Sequence, residues 1–83
     1  MRLTIDEPAK KALRKLDKAV RCKIGIEIDR YQAGLPVNIK KIKTSDNTWR
    51  IAVEKWRIII KYDPNAQVMH VTSVIQRKDA YRQ

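Results

Sequence analysis

The sequence has one cysteine, Cys22, and one histidine, His70, in 83 residues. A single thiol excludes an intramolecular disulfide, and one histidine beside it leaves no credible set of zinc ligands. Neither Ser45 nor Ser73 stands in a recognisable nucleophile motif, and one histidine does not make a serine triad. No run approaches the ~18 apolar residues that span a bilayer, and the opening MRLTIDEPAKK lacks the apolar stretch of a signal peptide. These absences predict a cytoplasmic protein that needs no metal, cofactor or membrane. Repeats, low-complexity segments and internal linkers are also missing. A chain this short buries only about 60% of its unfolded surface, so residues 1–83 are read as one domain with a small core.

Positive charge is what the chain has in excess. Lys and Arg number 19 against 9 Asp and Glu, for a formal net charge of +10. Such an imbalance destabilises the compact state by self-repulsion, and a polyanionic partner is the simplest reason to retain it. The basic residues run through the whole sequence and do not form a tail on a neutral domain.

The patterning predicts an α+β fold. Leu3 and Ile5 alternate with polar residues in a short first strand, which Asp6-Glu7-Pro8 ends while offering an N-cap and an early-turn proline. Ala9, Ala12, Leu13 and Leu16 then recur at helical spacing. After a break at Asp17-Lys18 a second stripe runs Val20, Ile24, Ile28, Tyr31 and stops at Gly34 and Pro36, giving an antiparallel helix pair. Lys10, Lys11, Arg14, Lys15, Lys18, Arg21 and Lys23 lie outside the stripes, as a solvated face or a binding surface. Residues 37–48 read as a loop. Strands are expected at about 49–53, 56–62 and 67–75, the last two joined by the turn Asp63-Pro64-Asn65-Ala66, and together they make a three-stranded antiparallel meander.

The segment WRIAVEKWRIII, residues 49–60, places arginines inside two apolar strands. A two-residue turn at Glu54-Lys55 pairs Val53 with Trp56, Ala52 with Arg57, Ile51 with Ile58, Arg50 with Ile59 and Trp49 with Ile60. Trp49, Ile51, Val53, Trp56, Ile58, Ile60 and Tyr62 then share one face, on which the helices pack. Arg50, Arg57 and Lys61 share the open face, with Ala52 and Ile59 between them. Glu-Lys is poor chemistry for such a turn, and a one-residue slip would reverse the faces of one strand. Trp49 and Trp56 therefore read as core and rim packing, His70 as structural and Cys22 as a small packing residue. Arg57, opposite a small residue on an exposed face, is expected to tolerate alanine at a cost of no more than about 0.5 kcal/mol.

Arg77, Lys78, Tyr81 and Arg82 follow the last strand in IQRKDAYRQ, so basic groups converge from three segments. Guanidinium forks grip phosphate, and flat side chains stack on unpaired bases, which suits RNA. Chemistry on RNA without a metal would use the ribose 2'-OH as nucleophile, with cations stabilising charge on the phosphoryl oxygens. Grip alone makes only a binding protein.

The order of strand, helix pair and meander, together with AKKALRKLDKAVRCKI, WRIAVEKWRIII and QRKDAYR, resembles the RelE/ParE family of type II toxins over essentially the whole chain. The resemblance implies a RelE-like fold and a cognate antitoxin that wraps the toxin in a hetero-oligomer. For the RelE branch it also implies metal-independent cleavage of mRNA on the ribosome, with contacts to 16S rRNA, through a 2',3'-cyclic phosphate. Arg57 matches the transition-state arginine of the second hairpin strand, and Arg50 a basic position in the preceding one. Tyr81 matches the tyrosine that stacks on or orients the base, and Arg77 the arginine of the closing motif. Lys61, Lys55, Lys78, Arg82, Lys41 and Lys43 are the expected RNA-binding lysines and arginine. The sequence departs from relatives at Gln76, Ile75 and Ala52, where some place histidine, arginine and lysine, so the catalytic set is reduced. mRNA cleavage is the favoured reading. Its alternatives are ParE-like inhibition of DNA gyrase and a non-catalytic RNA- or ribosome-binding module.

Overall fold

The computed structural model describes residues 2–42 and 47–80, the side chain of Ala80 excepted. Among them β1 (Arg2–Ile5) leads into α1 (Glu7–Arg14) and α2 (Lys18–Gln32), followed by β2 (Ile39–Lys41), β3 (Thr48–Val53), β4 (Trp56–Asp63), β5 (Val68–Gln76) and α3 (Arg77–Ala80). The strands form one mixed sheet in the order β1-β5-β4-β3-β2, with β1 parallel to β5 and every other pair antiparallel.

Both helices start and stop where local chemistry directs. Asp6 occupies the N-cap of α1 with extended φ and ψ, and Pro8 lies in the first turn, but the Asp6 carboxylate makes no capping bond. It lies 3.8 Å from His70 Nδ1 instead. Helix α2 ends in a Schellman motif: Leu35 N–H donates to Arg30 O (2.9 Å), Gly34 N–H donates to Tyr31 O (3.1 Å), and Gly34 takes φ 80. A side chain at Gly34 would meet no steric obstacle beyond that left-handed backbone.

The core lies between these helices and one face of the sheet. Helix α1 packs against β5 and α2 against β3. Ala9, Ile24, Ile28, Ile51, Val53, Ile58, Ile60, Met69, Val71 and Val74 are buried together, with Trp49, Trp56, Tyr62 and Tyr31 packed at the rim. The two tryptophans thus take the packing roles expected of them. The β3–β4 register is the one a two-residue turn requires, from Val53 opposite Trp56 to Trp49 opposite Ile60.

Two expectations are corrected, and one short helix is added to them. Residues 39–41 are not loop: they form β2, pairing Ile39 with Ile51, Lys40 with Arg50 and Lys41 with Trp49. Three residues carry too little alternation to be read as a strand, and two lysines suit the sheet edge they occupy. Residues 77–80 turn into a helix after β5. Cys22 is exposed on α2 and does not serve as a packing residue.

A fully buried side chain tests the assignment of faces. Replacing Ile60, which has no exposed surface, by alanine should cost about 2–5 kcal/mol, whereas Lys61→Ala, one residue along on the opposite face, should cost less than about 0.5 kcal/mol. Urea unfolding of both variants measures the difference.

Candidate nucleic-acid interface

Alternation along β3 and β4 turns Arg50, Ala52, Arg57, Ile59 and Lys61 away from the helices. The neighbouring strands extend this face. Lys40 lies opposite Arg50, and Ala52 N–H donates to Asn38 O (2.9 Å), so Asn38 and Lys40 of the β2 side join it. On the other flank, Ile75 pairs with Arg57, Ser73 with Ile59, and His70 with Lys61. The face is less open than a bare alternation implies, because Ile59 and Val68 are buried on it at 6% and 5% exposure. A bulge sets β5 off by one residue between Ile59 and Ile60, and the displaced Thr72 donates its hydroxyl to Ile59 O (3.3 Å).

Asn38, Lys40, Arg50, Ala52 and Arg57 line a hollow of ≈ 100 Å³ on this face. Ala52 forms its floor, since its methyl group is the smallest side chain in the row. The hollow therefore exists because one residue of the hairpin is small and its four neighbours are long or polar.

Arg57 serves the hairpin as well as the hollow. Its Nη1 donates to Glu54 O and to Trp56 O, both at 2.8 Å. Glu54 holds φ 54, a left-handed conformation that costs a non-glycine residue about 1–2 kcal/mol. The guanidinium clamp offsets part of that cost. Lys23 of α2 contributes through an ion pair with the Glu54 carboxylate (2.5 Å), worth at most about 1 kcal/mol at its half-exposed position. Poor turn chemistry is thus supported from outside the turn.

The expected site residues divide by position. Arg50 and Arg57 come together in the hollow. Arg77 opens α3, its N–H bonded to Lys55 O (2.7 Å), which brings Arg77, Lys78 and Lys55 to the hairpin-turn end of the sheet near Arg57. Lys61 shares the face but stands four residues beyond Arg57, about 13 Å along the strand, among Thr48, His70 and Thr4. Lys41 is turned to the opposite face, with its ammonium 5.8 Å from the centre of the Trp49 ring. Lys43, Tyr81 and Arg82 lie outside the described residues.

Lys40 is the basic residue of the hollow that the sequence reading left out. Strand parity was the available signal, but it could be applied only once β2 had been recognised. His70 accepts or donates a 2.6 Å hydrogen bond with Thr4 Oγ1 across β1 and β5, consistent with the structural role expected of it. Among the described residues, no group of three His, Cys, Asp or Glu side chains could hold a metal ion. No described helix is long and apolar enough to cross a membrane.

No family model and no curated protein matches the sequence. Solved structures do match the fold. A chain of the RelB–RelE antitoxin–toxin complex of Methanococcus jannaschii is 26% identical, with 94% of each chain covered and a TM-score of 0.77. The isolated RelE toxin of E. coli matches 98% of this chain and 95% of its own, at 21% identity and a TM-score of 0.76. Agreement with the isolated toxin fixes which component of the complexes is shared. The chain has the RelE fold. A chain of the intact E. coli RelBE complex has the same fold at 23% identity and a TM-score of 0.75, with 90% of this chain and 94% of the other aligned. The mixed sheet with its helices is thus the RelE-like architecture.

The clamp changes what loss of Arg57 should do to stability. Without it the Glu54 and Trp56 carbonyls return to water and the left-handed turn loses its support. Arg57→Ala should therefore cost roughly 1 kcal/mol, more than the 0.5 kcal/mol expected of a simple exposed arginine. Arg57→Lys, with fewer donors and no fork, should recover only part of it. Equilibrium urea unfolding reads both.

Proposed function

We propose that this RelE-like toxin is a ribosome-dependent endoribonuclease that cuts mRNA and is held inactive by a cognate antitoxin. The observation that carries the reading is the hollow on the helix-free face, where Arg50 and Arg57 stand together beside Lys40. A phosphodiester there would meet guanidinium forks that grip two oxygens at once. Attack by the adjacent ribose 2'-OH on phosphorus would then build charge on those oxygens. The 5'-oxygen leaves with a proton, and a 2',3'-cyclic phosphate remains.

In this reading Arg57 stabilises the transition state and Arg50 holds the phosphate. Arg77 and Lys78, at the turn end of the face, follow the RNA backbone, whereas the Lys55 ammonium lies over Trp56, 5.9 Å from its ring centre. Tyr81 takes its role as base-stacking group from the family resemblance. The antitoxin reading is supported by the RelB–RelE complexes of relatives and by a net charge of +10, which an acidic partner would neutralise while steering association.

The chain expressed alone in a bacterium should arrest growth, and mapped mRNA 5' ends should fall within translated regions. In single-turnover assays on programmed ribosomes, Arg57→Ala should cleave roughly a hundredfold or more slowly, the scale of losing one donor to developing charge. Ribosome binding should change little. Full cleavage by a folded Arg57→Ala protein would remove Arg57 from the mechanism. Gyrase-dependent DNA breaks in place of mRNA cuts would replace the nuclease reading with the ParE-like one, and ribosome binding without any turnover would leave only a binding module.

A further inference from the structure

We infer that Lys40 is a phosphate-binding residue of this face, supplying from β2 a cation that β3 lacks at Ala52. The inference rests on the RNA-directed reading above and names a residue that neither the motifs nor the resemblance provides.

The register defines the site. Two rows cross β2, β3 and β4: Asn38, Ala52 and Arg57 in one, Lys40, Arg50 and Ile59 in the next. Strand spacing makes this a patch of about 10 by 7 Å at the backbone, small enough for long side chains on its border to converge over its centre. The centre is Ala52, whose methyl group leaves the ≈ 100 Å³ hollow open, and Ile59 is buried and offers no polar atom. Charge at the site comes from the border alone: Lys40 on one side, Arg50 and Arg57 on the others, with the Asn38 amide completing the rim.

The size of the hollow selects its occupant. At ≈ 100 Å³ it is well below the roughly 300–1,000 Å³ of pockets that hold drug-sized ligands, which favours a small group such as a single tetrahedral oxyanion. Three cations and an amide around a volume of that size suit one backbone phosphate of a single strand. Lys40 and Lys41 are adjacent in sequence, yet only Lys40 can reach it, because Lys41 lies over Trp49 on the other face.

The test moves the charge instead of only deleting it. The affinity of the purified protein for a labelled single-stranded RNA of about ten nucleotides is measured across a salt series. Thermal melting verifies the fold of each variant. Lys40→Ala should lose about tenfold in affinity at low salt, and its slope of log affinity against log salt should fall by about 0.7, the loss of one phosphate contact. Lys40→Arg should keep the slope. The double variant Lys40→Ala/Ala52→Lys should regain both affinity and slope, since a lysine rising from the floor places its ammonium over the same hollow. An unchanged affinity and slope in folded Lys40→Ala overturns the assignment, as does a loss of affinity with no change of slope. A folded double variant that recovers nothing overturns it too. Cleavage is followed separately on programmed ribosomes. RNA binding that behaves as described without any cleavage sinks the nuclease reading and keeps the site; normal cleavage and binding by Lys40→Ala sinks the site and keeps the nuclease reading.

Discussion

The two-residue turn between β3 and β4 is the constraint on which the remaining structure depends. With Glu54 and Lys55 as the turn, Val53 meets Trp56 and each later pair follows from it. Side chains in a strand alternate strictly, so one residue more or less would move Ile58 and Ile60 out of the core and bring Arg57 and Lys61 into it. Burial of an uncompensated guanidinium costs far more than a turn can recover. The hydrophobic core and the basic face are therefore consequences of the same register.

That turn is made from unsuitable residues, and the structure shows what supports them. Glu54 adopts a left-handed backbone without being glycine, Arg57 donates to the carbonyls of Glu54 and Trp56, and Lys23 reaches across from α2 to the Glu54 carboxylate. The start of α3 adds a further bond, from Arg77 N–H to Lys55 O. Local strain at such a site is tolerated when several neighbours fix it at once. Here one of those neighbours is a guanidinium at the edge of the proposed phosphate site. Anything that draws Arg57 toward a phosphate must compete with the turn carbonyls, so binding on the face and order in the hairpin are coupled through one side chain.

The distribution of cations follows a similar economy of position. Nineteen basic residues in 83 could repel one another into instability, yet most stand on the exposed helix faces or at strand positions turned from the core. The ion pairs that Lys10, Arg14, Lys23 and Arg30 make are exposed or half-exposed, and pairs of that kind add little to stability. The aliphatic stems of Lys41 and Lys55 instead cover the rims of Trp49 and Trp56, where the ammonium groups lie 5.8 and 5.9 Å from the ring centres. These two lysines shield the edges of the core. Lys40, by contrast, is turned to the helix-free face beside Arg50 and Arg57.

Sequence by itself determined the helix stripes, the three long strands and the hairpin register, because each rests on a period repeated over five or more residues. It also determined that Arg50 and Arg57 share a face, and the resemblance carried by WRIAVEKWRIII and QRKDAYR pointed to the RelE architecture. What it could not supply was anything that depends on a neighbour distant in the chain. Strand β2 is three residues long, and its hydrogen bonds go to β3, so no local period announces it. Only its pairing decides that Lys40 joins the arginines while Lys41 leaves them. The clamp that Arg57 makes on the turn was hidden for the same kind of reason: a side chain's donors go to whichever carbonyls the fold brings near, and a strand pattern records the direction of a side chain but not its partners. The hollow itself was settled last, by the coincidence of a small residue on β3 with long residues on β2 and β4, a matter of tertiary packing alone.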